Sequence, residues 1–435
     1  MVLALVSILI FILSFLFGYE KPRSAIWFVA YTYPLLYPVN FPIIVSDIFY
    51  LNITRVALAI ILGVHLKRGK TLQISTLFKS NFIRIYLLFT VYIIVISLGD
   101  MAKYIIFTYI PEVYISITLG YFLIQTEKDY QKLIGILSWQ GLIFGVIVFL
   151  DYFEIANIQL YISKMIPRFN IDNFNIDDTR AGIRRVSGID GNAINSSVRL
   201  VILFPISLLY LKLKNSKIKY IIPVTLVFSI IVLLSRAAYI SLALAIVFLV
   251  FSFANEEKNI SKKFVAIIKT AIIFSSGLLL LLVFPFTSHV LQSIYSFSFE
   301  TSTLKNIDQR ILVFPQVIEM IINSPFIGNI CSPFYVYNDI MGGHDLPLPI
   351  IYLLAGGIPL VVIFIIWGIM MPFYFMKFIS KANRSKEELF IIIMVSASFV
   401  GGLIPMLSNW IDTSTSLMII IFSATYKFFL LKRPL

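Results

Sequence analysis

The chain has 435 residues, of which 59% are hydrophobic and only 13% charged, with a mean hydropathy of +0.93; a soluble globule carries roughly 25% charged residues, so that class is excluded. The expected class is an all-α polytopic membrane bundle, one integral domain over residues 1–435 with about 12–13 transmembrane helices. The net charge of +13 is spread over many short loops without interleaved aromatics, which argues against nucleic acid and for membrane topology and anionic lipid.

In chain order, apolar runs of spanning length fall near residues 1–18, 25–43, 50–66, 83–98, 104–125, 133–151, 196–211, 219–234, 237–254, 264–284, 348–376, 388–408 and 412–430. Met1 to Phe17 lacks the basic n-region and the small-residue cleavage site of a signal peptide, and is expected to be a retained first span. The second run is interrupted by Pro34, Pro38 and Pro42. Lysine and arginine collect in alternate connections: Lys21 and Arg23, Lys67 to Lys70, Lys128 and Lys132, Lys212 to Lys219, Lys258 to Lys263, Lys377 to Lys386, and Lys432 with Arg433. Those connections are expected to be cytoplasmic. The single cysteine, Cys331, excludes a disulfide framework, and His65, His289 and His344 give no metal-ligand spacing.

Two connections on the opposite side, residues 152–195 and 285–347, are too long for turns, and loops of that length carry function. The first ends in Arg184, Arg185, Val186, Ser187, Gly188, Ile189, Asp190, Gly191 and Asn192. The second holds an amphipathic stretch from Leu304 to Ile322 and finishes on Met341-Gly342-Gly343-His344-Asp345. Between them a tight turn at Ser235-Arg236 brings a further arginine to the same side. Guanidinium groups at the edge of hydrocarbon cost roughly 2.5–3.5 kcal/mol each if they reach its centre. Arg184, Arg185, Arg236 and Arg310 therefore call for an anionic partner.

Over about residues 180–370 the chain resembles the bacterial O-antigen polymerases and O-antigen ligases. Three patterns carry the resemblance: the string Arg185, Gly188, Asn192 and Asn195 before a span; the Ser235-Arg236 turn; and a long outer loop from Arg310 through Pro325-Phe326-Ile327-Gly328 to His344, followed by Leu354-Ala355-Gly356-Gly357-Ile358-Pro359. Asp345 stands where the family commonly has asparagine, and Ile311 to Phe314 lack the tryptophan often found after the loop arginine. Before residue 180 the likeness is generic, in span number and in a Ser46-Asp47 pair.

The resemblance implies a fold of the lipid-sugar-using membrane glycosyltransferase type and an enzyme needing no metal, nucleotide sugar or other cofactor. It would sit in the bacterial inner membrane with its active site on the periplasmic face. The donor and the acceptor would be undecaprenyl-pyrophosphate-linked glycans, and a flippase and a chain-length regulator would be partners. Breaking the bond to pyrophosphate develops charge that arginine forks match, Arg236 and Arg310 first and then Arg185. A base for the attacking sugar hydroxyl contributes roughly 10²–10⁴-fold, and His344, with a reference pKa of about 6.5, suits that role. Asp345 orients the imidazole, or is itself the base if His344 binds sugar. Asn192, Tyr335 and Tyr337 are candidate sugar contacts.

Each residue has a plainer reading. Arg184 and Arg185 suit solvated pairs with Asp177, Asp178 or Asp190; the motif moves Arg185 to function and leaves Arg184 in the loop. Arg236 suits a snorkelling span end, against which its outer placement counts. Arg310 suits the solvated face of a helix, His344 a turn between glycines, and Tyr335 and Tyr337 lipid or core packing. Asp47 and Arg55 suit a structural ion pair as well as a site. The leading expectation is a polymerase of surface-polysaccharide repeat units, with a ligase acting on lipid A core or protein as the runner-up. A lipid-linked oligosaccharide transporter ranks lower: it needs charges near the bilayer midplane and internal repeats, and no convincing repeat is present.

Overall fold

A computed structural model describes residues 2–36, 42–44, 51–68, 81–104, 106, 109–156, 179–180, 183–184, 186, 188, 193–214, 220–233, 235–256, 315–336, 348–370, 385–408 and 413–432. Helix dominates them. The strands among them are two antiparallel pairings, β1 (Pro42–Ile44) with β2 (Leu51–Asn52) and β3 (Thr179–Arg180) with β4 (Ile183–Arg184).

The helices fall on the apolar runs, except for residues 315–323, which lie in the expected outer connection 285–347. They are α1 (Val2–Glu20), α2 (Pro22–Leu36), α3 (Ile53–Arg68), α4 (Asn81–Tyr104), α5 (Ile110–Ile117, continuing as a π-helical turn over Thr118–Phe122), α6 (Glu127–Tyr152), α7 (Ala193–Lys214), α8 (Ile221–Val232) and α9 (Arg236–Glu256). After them come α10 (residues 315–323), α11 (Leu348–Ile365, with a π-helical end over Ile366–Met370), α12 (Lys386–Ser408) and α13 (Thr413–Lys432). The expected run at 264–284 and the stretch from Leu304 to Phe314 lie outside the described residues. Among the described residues, four helical stretches are long and apolar enough to cross a membrane, at Glu127–Tyr152, Asn195–Lys214, Pro349–Gly368 and Thr415–Lys432. This is an all-α membrane protein.

Local chemistry sets several helix starts. Thr126 caps α6, its hydroxyl accepting the Asp129 N–H at 3.2 Å while the Asp129 carboxylate accepts the Thr126 N–H at 2.9 Å. Ser385 and Glu388 repeat the reciprocal pattern ahead of α12. Asn52 accepts the Arg55 N–H at 3.0 Å to start α3.

Prolines shape α2. Pro34 has no N–H for the Ala30 carbonyl, and α2 ends at Leu36, so the Pro34 carbonyl in its last turn has no intrahelical donor. Neighbouring helices supply the missing donors: Gln140 Nε2 of α6 reaches Ala30 O at 3.1 Å and Tyr31 O at 2.8 Å, and Arg199 Nη1 of α7 reaches Pro34 O at 3.1 Å. In hydrocarbon an unmet carbonyl costs several kcal/mol, so a broken helix survives only where such partners exist.

Packing fixes which helix ends meet. Gly135 of α6 lies against Tyr210 of α7, while Val148 and Ser196 meet at Gly188, so α6 and α7 run antiparallel. Ser229 of α8 donates to Gly145 O at 3.2 Å, and Gly141 meets Leu226, so α8 runs parallel to α6. Gly401 of α12 lies against Val201 of α7 and Ala245 of α9. The starts of α7 and α9 and the ends of α6 and α8 therefore share one end of the bundle.

Candidate functional site

The sharpest backbone feature of the described residues is a break in α11. Gly357 takes φ +70° and ψ −166° inside an otherwise helical run, a conformation that L side chains avoid. Tyr352 and Phe364 stand twelve residues apart, about 18 Å along a straight helix. Their ring centroids lie 4.9 Å apart, so the two halves fold toward each other. The expected single span at 348–376 is thus two helical arms. By length and composition Pro349–Gly368 passes for a crossing helix; the backbone at Gly357 decides against a straight one.

A second segment meets the break. The Leu354 carbonyl, released from Ile358 N–H, accepts Asn329 N at 2.8 Å and Asn329 Nδ2 at 2.9 Å. Pro359 offers no N–H to the Ala355 carbonyl, which accepts Cys331 N at 3.4 Å. The Gly356 carbonyl takes the Tyr92 hydroxyl of α4 at 2.8 Å. Ile358 N turns outward to Pro325 O at 3.1 Å. Gly328, at φ +67°, lies against Gly357 N and the Leu354 carbonyl, where a Cβ has no room. Two parts of the third sequence pattern, Pro325 to Gly328 and Leu354 to Pro359, form one interlock.

The Ser235-Arg236 turn is built as tightly. Ser235 O accepts Tyr239 N at 3.1 Å, which makes Ser235 the residue before α9 and Arg236 its first. The Tyr239 hydroxyl donates to Ile231 O at 2.6 Å and ties the start of α9 to the end of α8. The Ser235 side chain is 1% exposed, and its hydroxyl has no hydrogen-bond partner among the described residues. Free N–H groups and the dipole of a helix start favour an anion there. An idle buried hydroxyl beside them is one more donor.

The string before α7 is anchored too. Val186 is buried, and Gly188, at φ +66°, lies against Ser196 and Val148. Below it, Arg199 is 2% exposed in the apolar body of α7, with its guanidinium 5.1 Å from the Phe144 ring and on the Pro34 carbonyl. Glu112 of α5 is also buried, and Tyr33 lies within the electrostatic reach of both charges.

Residues 221–329, 109 of the 435, match a family model described as O-antigen ligase. The match supports the O-antigen polymerase and ligase family. No curated protein matches the chain. The family segment holds α8, the Ser235-Arg236 turn, α9 and α10, and it ends on Asn329, inside the interlock. The resemblance read from the sequence is borne out over that segment.

Of the expected site residues, the structure places two. Arg236 stands at the first position of α9, and Tyr335 is 40% exposed in a short turn (Pro333–Tyr335) whose cap is Ser332 Oγ, accepting the Tyr335 N–H at 3.0 Å. Arg185, Asn192, Arg310, Tyr337, His344 and Asp345 lie outside the described residues, as does Asp47. No group of His, Cys, Asp or Glu suited to a metal occurs among the described residues. Sequence reasoning passes over Arg199, Glu112 and Gln140, and takes Ser235 only as part of its turn. The signal for the first three was present: a charge or amide inside an apolar run, beside a proline-broken one. For the Ser235 hydroxyl nothing in the sequence signals burial, since only folding buries it.

Proposed function

We propose that the chain is a glycosyltransferase that moves a polyprenyl-pyrophosphate-linked glycan to a sugar hydroxyl, and that it polymerises surface-polysaccharide repeat units. The observation that carries this reading is the matched O-antigen ligase segment, whose turn sets Arg236 at a helix start beside the buried Ser235 hydroxyl. Arg236, Arg310 and Arg185 hold the pyrophosphate and stabilise its charge as the glycosidic bond breaks. His344, with Asp345 beside it, accepts the proton of the attacking hydroxyl. Asn192, Tyr335 and Tyr337 contact sugar. No metal takes part.

In this reading the chain is one membrane domain of about 12–13 spans, with the loops 152–195 and 285–347 on the periplasmic face of the bacterial inner membrane. A flippase delivers the substrate and a second protein sets chain length. The family description itself favours a second reading, a ligase that delivers finished glycan to lipid A core or protein. Purified protein supplied with undecaprenyl-pyrophosphate repeat units separates the two. A ladder of longer lipid-linked glycans, lost in folded His344→Ala and Arg310→Ala variants, supports the polymerase; glycan on added lipid A core supports the ligase. Neither product from authentic substrate overturns both.

A further inference from the structure

We propose that α10 and the turn after it form a lipid-facing segment lying in one leaflet, and that they are not a water-exposed loop. Around α10 the residues divide into three sectors. Val317 is buried, and Met320 and Ile321 pack on the core. Gln316, Glu319 and Asn323 form an exposed polar stripe. Ile318 and Ile322 form an exposed apolar stripe, which the turn continues with Phe326, Ile327 and Ile330; Ile322 is 69% exposed and Phe326 72%. A helix wholly in water has no use for the third sector. One at a bilayer surface needs all three: one toward the protein, one toward water and head groups, one toward acyl chains.

The depth of the turn says what covers that face. Gly357 lies against Phe326 and Ile327, and its neighbour Gly356 lies against Tyr92 and Ile96 of α4. Those residues are in the body of the apolar helix Asn81–Tyr104, whose Leu88, Val91, Val95 and Leu98 form an exposed apolar stripe of their own. The turn thus sits level with a lipid-facing surface. Its backbone is arranged for that place: Gly328 N pairs with Ser324 O, Asn329 N with Leu354 O, Cys331 N with Ala355 O, and Pro325 O with Ile358 N. Irregular backbone in a membrane persists only when so paired. The occupant of the apolar face is therefore the acyl region of the bilayer.

Spin labels test this without substrate or turnover, so the outcome is independent of the transferase reading. Phe326→Cys, Ile322→Cys and Gln316→Cys are each made in a Cys331→Ser background, labelled, and the full chain is reconstituted in phosphatidylethanolamine and phosphatidylglycerol vesicles. Collision with oxygen, which concentrates among acyl chains, is compared with collision with a water-soluble nickel chelate. Oxygen should dominate several-fold at residues 322 and 326, and nickel at 316. Nickel dominance at 322 and 326 would mean a water-exposed loop, and labels shielded from both reagents would mean a protein partner; either overturns the proposal. Ile322→Cys carries the test alone if the Phe326 variant elutes as an aggregate.

Discussion

Single side chains here do work that their types alone do not announce. The Ser235 hydroxyl is buried and idle among the described residues, and an unpaired buried hydroxyl costs about 1–3 kcal/mol. If it serves substrate, Ser235→Ala should leave the thermal midpoint unchanged or raised and lower turnover; equal loss of stability and activity would make it a packing residue. Arg199 is the opposite case, a charge held by the fold. Arg199→Leu strips the Pro34 carbonyl of its donor and should destabilise by at least about 1–3 kcal/mol, read by thermal unfolding in detergent. A variant as stable as the parent would show that Pro34 finds another partner.

Between elements, the interlock at Gly357 governs how the long loop meets the bundle. Gly357→Ala and Gly328→Ala each place a Cβ at positive φ against backbone, and should cost about 1–3 kcal/mol in strain before the clash is counted. Tyr92→Phe removes one hydrogen bond to Gly356 O and should cost only about 0.5–1.5 kcal/mol. That ranking is checked by chemical denaturation of the three variants side by side. Should Tyr92→Phe match the glycine variants, the break would depend on α4 more than on the docked turn. The prolines of α2 follow the same rule, with Gln140 and Arg199 taking the role that Asn329, Cys331 and Tyr92 take at α11. In both places the helix's own hydrogen-bond ladder is interrupted and donors from elsewhere in the chain complete it.

Across the whole molecule, the proposed chemistry stabilises a leaving pyrophosphate with arginines alone. Activity on lipid-linked repeat units should then persist undiminished after exhaustive chelation with EDTA; loss that divalent cation restores would replace that mechanism with a metal-assisted one.

Much of this was legible in advance. Long apolar runs dictate helices because backbone groups in hydrocarbon must pair within their own segment, so the described helices other than α10 fall on the expected runs, and the three patterns near residues 185, 235 and 325–359 stand out in the sequence. The break at Gly357 escaped the run at 348–376 because hydropathy averages over residues and is blind to one backbone angle. Arg199 escaped because one charge hardly moves the average of an apolar run.

By itself, the sequence determined the class of this protein, its helical content and its family segment, since composition and length suffice to place a chain in lipid. Only the tertiary structure decided that Pro325 to Gly328 and Leu354 to Pro359 are halves of one joint, that Arg199 and Gln140 complete α2, and that Ser235 is buried. The physical reason is common to all three: each depends on which donor meets which acceptor across distant parts of the chain, and such pairings exist only once the helices have packed.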